Sequence, residues 1–262
     1  MHFKNKVVWI TGASSGIGKE LALQLAQQGA ILILTGTNVA ALTTLKGELK
    51  NTRSHILNYN LLDIDGIPNL VDQAILFEGH IDYVIQSAGQ SQRAMAEETD
   101  IFVYKKLMDL NFFAPVAIIQ SLLPHFKKQG QGNICVISSI AGLIGFPLRS
   151  GYAASKHAIK GYLETLQCEF FKTNIHVSIV YPGRINTNIS KNALAGNGQQ
   201  FGNTDENSDA GMSVSVCCNK IISGLKKNQK AIYILKAERL LFWFWWFIPS
   251  LYYKIAHAKG VR

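Results

Sequence analysis

Seven short runs of apolar and β-branched residues punctuate the chain, at 6–11, 30–35, 55–60, 82–86, 133–138, 176–180 and 231–235. They are nearly continuous in hydrophobicity rather than alternating, the pattern of strands buried on both faces of a parallel sheet. Between them the apolar positions change to helical spacing. In IGKELALQLAQQG, Ile17, Leu21 and Leu25 fall on one face and Gly29 suits the C-terminal end. Alternation of this kind predicts βαβ crossovers and hence an α/β fold, a doubly wound parallel sheet of about seven strands with helices on both faces. Such sheets bind ligands beyond the carboxyl ends of their strands.

The first strand runs into TGASSGIG, Thr11 to Gly18. Gly12, Gly16 and Gly18 there permit a tight turn and close backbone approach, and the following helix offers unpaired N–H groups to a pyrophosphate. Ser14 and Ser15 add hydroxyl donors, and Ile17 completes the turn. The position between strand and helix at the first crossover predicts a dinucleotide site in a Rossmann-type sheet. An NAD-specific site places an acid at the end of the second strand, on the ribose 2′-hydroxyl. Here LTGTNVAALTTLK has no acid before Glu48, and Thr37 and Asn38 can donate to a 2′-phosphate. NADP is therefore favoured, with NAD left open because no Arg accompanies them.

Composition narrows the setting. The 262 residues are 48% hydrophobic and 16% charged, with 22 Gly and 6 Pro, as for a globular chain with one sizeable core. Cys135, Cys168, Cys217 and Cys218 show no metal-ligand spacing and the seven His are scattered, so no metal is expected. The N-terminus enters a strand almost at once, which predicts no cleavable signal and a reducing, cytoplasmic location. Of the net charge of +9, seven units lie from Leu225 onward, where Glu238 is the single acid. The first 224 residues are thus nearly neutral, and no basic groove suggests nucleic acid.

The glycine turn, Asn111 in LMDLNFFAP, Ser139 in ICVISSIAG, and Tyr152 and Lys156 four apart in YAASK occur in a familiar order and spacing. In these the chain resembles the short-chain dehydrogenase/reductase family, from residue 5 to about 190. YPGRINT resembles the family's Pro-Gly turn after the sixth strand, implying cofactor contacts at Pro182, Gly183 and Thr187. QSAGQSQR and NTNISKNALAG resemble membrane-associated members acting on lipophilic carbonyls. One departure is Gln86-Ser87-Ala88-Gly89, where the family usually has Asn-Asn-Ala-Gly; Ala88 and Gly89 keep the small residues beside the cofactor.

Hydride reduction of a ketone leaves an alkoxide that needs a proton. A phenol can donate it, and an ammonium at i+4 on the same helical face lowers the phenol pKa. Tyr152 and Lys156 fit those roles, and Ser139 can hydrogen-bond the substrate oxygen. The resemblance adds that Lys156 binds the nicotinamide ribose, that Asn111 orders a water leading to Lys156, and that the chain forms homodimers or homotetramers. His157 points elsewhere than Lys156, and Ser138 faces opposite to Ser139. Asp63, after the third strand, has two readings, the acid near the adenine edge or a helix N-cap.

Residues 188–212 are polar and Gly-rich, and the resemblance makes them a lid over the substrate. Phe146, Pro147, Leu148 and Met212 are candidate apolar lining or ordinary packing. From Leu240 to Tyr253, LLFWFWWFIPSLYY is too short to span a bilayer, which needs about 20 residues. Trp243, Trp245 and Trp246 flanked by Arg239, Lys254 and Lys259 suit peripheral contact at the inner membrane surface through 238–259. Burial against a partner subunit or a roof over the substrate is the alternative. The expected organisation is a catalytic domain at 1–237 and an apolar, basic segment at 238–262. The expected activity is hydride transfer between a nicotinamide cofactor and an apolar carbonyl or secondary alcohol. A non-catalytic nucleotide-binding scaffold or redox sensor at a membrane surface is the competing reading.

Overall fold

The structure, a computed structural model, describes residues 2–203 and 211–260. Seven parallel strands, β1 Val7–Thr11, β2 Ile31–Gly36, β3 Ser54–Asn58, β4 Tyr83–Gln86, β5 Gly132–Ile137, β6 Ile175–Pro182 and β7 Ala231–Ile234, form one sheet in the order β3-β2-β1-β4-β5-β6-β7. Every predicted apolar run is a strand. β6 outlasts its apolar run because β7 continues beside it, with Pro182 opposite Ile234.

Strand residues divide alternately between two cores. Val7 and Trp9 face α3 (Ile67–Glu78), α5 (Ala114–Gln129) and α6 (Ser150–Glu169), through Leu70, Ile118 and Ile159. Val8 and Ile10 face α1 (Gly16–Ala26), α2 (Val39–Glu48) and α7 (Val214–Lys226), through Leu21, Leu42 and Ile221. Leu21 and Leu25 are buried, as their spacing predicts, and Gly29 ends the helix region with a φ of 80°. The doubly wound expectation holds.

α4 (Ile101–Met108) leads through a π-helical turn, Asp109–Phe113, into α5. This run is apolar enough by composition to cross a membrane, yet Val103, Leu107, Ile118, Leu122 and Phe126 are buried within the fold, so it is a core element. The C-terminal apolar run is two helices, α8 (Glu238–Phe247) and α9 (Pro249–Gly260), because Pro249 cannot continue the first. The run is not apolar all round in its surroundings. Leu241, Phe244 and Trp245 pack on the core and Tyr252 is buried in it, while Leu240, Trp243, Trp246 and Phe247 face outward.

Candidate active site

The sheet order reverses between β1 and β4, and the turns leaving these two strands meet there. Gly12 has a φ of 67°, and a Cβ on it would lie 2.6 Å from the Ala88 amide nitrogen. A Cβ on Gly18 would likewise run into the Gly12 carbonyl. These two glycines therefore let the turns close up. Gly16, with a φ of 54°, faces Thr187 across a cavity of about 290 Å³ that Lys19, Asn186 and Asn188 also line.

The N-terminus of α1 is left open to a ligand. Ser15 makes no capping hydrogen bond and no acid stands in the first turn, so the first N–H groups and the positive end of the dipole are available to an anion. Ser14 lies against Gly36 at the end of β2, with its Oγ 3.4 Å from where a Gly36 Cβ would be. Thr37 and Asn38 are exposed just beyond. Asn38 caps α2 with its carbonyl oxygen, 2.9 Å from the Ala41 N–H, so its amide nitrogen is the end that can donate. These features fit a dinucleotide pyrophosphate and ribose.

Asp63 is exposed and bends the chain ahead of α3, accepting from the Gly66 N–H at 3.4 Å. Gly66, not Asp63, is the N-cap, so the carboxylate assists the helix start from outside it. Pro182 ends β6, and Gly183 donates to the Ile234 carbonyl at 2.9 Å. The close neighbour of Gly183 is the Glu238 carboxylate, which accepts from the Arg184 and Lys236 N–H groups at 2.8 and 2.9 Å. Those bonds hold its pKa below the ordinary value against the opposing effect of burial.

Beyond β5, Ser139 accepts from the Ala141 N–H at 3.1 Å. Ser138 is buried and turned away, its Oγ towards Gly142. α6 brings Tyr152 and Lys156 beside Ser139, both buried. The Lys156 Nζ donates to the Ile137 carbonyl at 2.9 Å and lies 5.8 Å from the centre of the Tyr152 ring. Burial raises the Tyr152 pKa, while the Ser139 hydrogen bond and the charges of Arg149 and Arg93 pull it down. Burial also lowers Lys156 to about 8. The expected lowering of the phenol is thus overturned: burial penalises both charged forms and leaves Tyr152 above its ordinary value.

Asn111 sits in the π-helical turn, 1% exposed. Its amide donates to the Gln90 carbonyl at 2.9 Å and to Ser155 Oγ at 3.0 Å, and its oxygen accepts from the Gln90 N–H at 3.0 Å. The side chain is fully engaged in fixing the turn after Gly89. Gly89 in turn leaves room for Asn111 and Lys156, whose Oδ1 and Nζ would stand 3.0 and 3.5 Å from a Cβ there. Gln86, at the family departure, donates to the Pro115 carbonyl at 3.2 Å. His157 is exposed, with its ring 2.8 Å from the Ala153 carbonyl.

Of the candidate lining residues, Phe146 packs against Ala141, Tyr152 and Ala153. Leu148 takes a left-handed φ of 64°, a strained conformation for a leucine. Met212 belongs to the other core with α1 and α7, so it does not join Phe146. The described part of 188–212 is docked: Leu194 is buried against Val103 and Leu107, and Gln90 donates to the Asn192 carbonyl at 3.1 Å. Residues 204–210 lie outside the described residues.

The site also draws in Ser155, Gln92 and the guanidinium groups of Arg93 and Arg149, none of which is a fixed position of a sequence motif. Ser155 is within reach of the sequence, since it directly precedes Lys156 and shares its helix. The others give no local signal, because their roles depend on loops meeting across the sheet.

The family model described as short chain dehydrogenase matches residues 6–198. The chain is 34% identical to the mouse protein "Dehydrogenase/reductase SDR family member 7B" over 99% of this chain and 82% of that one. It is 36% identical to the human "Dehydrogenase/reductase SDR family member 7" over 98% and 78% respectively. A short chain dehydrogenase/reductase from Burkholderia phymatum, solved in complex with NAD, superposes with a TM-score of 0.84 at 18% identity, covering 96% of each chain. A short-chain dehydrogenase from Sphingobium yanoikuyae in complex with NADPH gives 0.75 at 24% identity and 87% of each. Sequence match and fold together place this chain in the short-chain dehydrogenase/reductase family of NAD(P)-dependent oxidoreductases.

Proposed function

We propose that the chain reduces an apolar ketone or aldehyde, or oxidises the corresponding alcohol, with NADP favoured over NAD. The observation that carries this reading is the gathering of Ser139, Tyr152 and Lys156 beside the closely apposed turns of Gly12 and Ala88. A nicotinamide cofactor held there would supply the hydride. Ser139 and the Tyr152 hydroxyl hold the substrate oxygen, and Tyr152 gives its proton to that oxygen as charge develops. Its raised pKa keeps it protonated at neutral pH, which suits reduction. Lys156 binds the ribose hydroxyls and stabilises the phenolate left behind. By the family likeness, Asn111 would order a water in the proton relay to Lys156.

Gly12, Ser14, Ser15, Gly16, Ile17 and Gly18 would hold the pyrophosphate, with Ala88, Gly89, Pro182, Gly183 and Thr187 flanking the nicotinamide half. Thr37 and Asn38 are the assigned 2′-phosphate donors, and Asp63 the contact at the adenine edge. The body at 1–237 would carry this chemistry, as a homodimer or homotetramer in the cytoplasm. The segment at 238–259 would rest on the inner membrane surface. Supporting that docking, the outward face of α8 forms an apolar groove of about 560 Å³ lined by Leu240, Phe242, Trp243, Trp246 and Phe247 with Arg239 at its edge.

The test follows NADPH and NADH absorbance over lipophilic ketones and dicarbonyls, wild type beside Tyr152→Phe. Consumption by the wild type that the variant loses supports the reading. Cofactor binding without turnover of any carbonyl would favour the scaffold, and equal dissociation constants for the two cofactors would remove the NADP preference.

A further inference from the structure

The Gln90–Arg93 segment follows the cofactor-side turn, and its last three residues are buried polar groups, with Gln92 at 0% exposure. The large majority of buried side-chain polar atoms are hydrogen-bonded, and here both ends of the amide are. The Gln92 Oε1 accepts from the Gly151 N–H at 2.7 Å, and its Nε2 donates to Thr99 Oγ1 at 2.8 Å and to Ser150 Oγ at 3.5 Å. Gly151 lies in the first turn of α6, whose N-cap, Arg149, makes no side-chain capping bond. An exposed helix end could give such an amide to water, but here Tyr104 and Leu107 crowd the position, each 2.9–3.0 Å from where a Gly151 Cβ would be. Gln92 therefore supplies from another segment the acceptor that α6 lacks, one residue before Tyr152.

The neighbours of Gln92 face the other way along the same segment. Arg93 donates to Ser190 Oγ at 2.8 Å and through its amide to the Leu194 carbonyl at 2.8 Å, and Ser91 accepts from the Leu194 N–H at 2.9 Å. Ala94 donates to the Leu148 carbonyl at 3.2 Å. One segment thus touches the start of the helix that carries Tyr152, the strained loop before it, and the 190–194 loop.

We infer that Gln92 is a positioning residue for Tyr152, and that the segment holding it transmits docking of the 190–194 loop to the start of α6. The proposal rests on the oxidoreductase reading only for its catalytic consequence. A Tyr hydroxyl on an unanchored first turn would swing away from the substrate oxygen, whereas Lys156, one turn deeper, is held by Ile137.

The test compares wild type, Gln92→Met, Gln92→Glu and Ser190→Ala. Hydrogen exchange is read on peptides spanning 149–156, with NADPH turnover on an aromatic diketone and NADPH binding followed in parallel. Gln92→Met should speed exchange at 150–153 at least several-fold. It should lower kcat by on the order of tenfold or more, leaving the NADPH dissociation constant within about twofold. Gln92→Glu, which keeps the acceptor, should recover part of kcat. Ser190→Ala should speed exchange in the same peptides at least twofold. Unchanged exchange in Gln92→Met, or loss of kcat and cofactor binding together, overturns the positioning role. Unchanged exchange at 149–156 in Ser190→Ala overturns the coupling. If the wild type turns over no carbonyl, the oxidoreductase reading fails, and the exchange data still decide the positioning.

Discussion

Lys156 gives its ammonium to the Ile137 carbonyl at 2.9 Å and stands 5.8 Å from the centre of the Tyr152 ring, with both groups buried. Burial alone lowers the lysine to about 8 from the ordinary 10.5. The unfolded chain then binds more protons than the folded one between those values, so Lys156 makes folding stability rise with pH across that window. Thermal melts of wild type against Lys156→Met should show the wild type gaining on the variant from pH 8 to 10. NADPH binding should run oppositely, weakening as pH rises through about 8 in the wild type but not in Lys156→Met. A pH-independent difference in both would remove Lys156 as the titrating group.

Tyr152→Phe keeps the ring that packs on Phe146 and removes only the hydroxyl. Loss of a general acid lowers kcat/KM by about 10²–10⁴-fold with little change in melting temperature. Steady-state reduction of a diketone, with melts alongside, checks it. Activity retained within tenfold would move the proton donor elsewhere.

Gly12→Ala combines a positive φ with a Cβ 2.6 Å from the backbone of Ala88. Backbone cannot yield as a flexible side chain can, so the variant should lose about 1–3 kcal/mol of stability. NADPH binding should fall with it, because the two turns that frame the cofactor are forced apart. Chemical denaturation and cofactor titration read the two effects, and a stable variant with normal binding would contradict the geometry.

Glu238 is the single acid of the C-terminal region, and it accepts two backbone N–H groups there, one of them from the loop after β6. Its folded pKa lies below the ordinary carboxyl value, so its contribution is present at neutral pH and lost as pH falls through that folded pKa. Glu238→Ala should cost roughly 1–2 kcal/mol and make the junction before α8 easier to cleave with protease. Tyr252, whose hydroxyl donates to the Gly145 carbonyl, would loosen with it, so Tyr252→Phe should increase cleavage less. Unchanged cleavage in Glu238→Ala would show that apolar packing alone holds the tail.

Trp243 and Trp246 are 49% and 66% exposed, whereas Trp245 packs on the core. If α8 lies on a bilayer, Trp243→Glu with Trp246→Glu should abolish sedimentation with anionic liposomes and leave the fold intact. Trp245→Glu should instead destabilise the protein. Equal liposome binding by wild type and the double variant would leave a partner subunit as the occupant of the groove.

The layers and much of the proposed site follow from local sequence pattern. Burial on both sheet faces forces continuous apolar strands, helices between them require a 3.6-residue period, and a tight turn at a helix start requires glycines. Val7–Thr11, Ile17–Leu25 and Gly12–Gly18 therefore declare themselves locally, as do Tyr152 and Lys156 through one helix spacing. Packing of whole elements governs what depends on distant segments meeting. It set the protonation balance of Tyr152 and Lys156 through burial, engaged Asn111 with Gln90 and Ser155, and turned Trp245 inward but Trp246 outward. It also brought Gln92 to Gly151, 59 positions along the chain. A hydrogen bond across that separation leaves no periodicity in the sequence, because its geometry is fixed by the packing of whole elements.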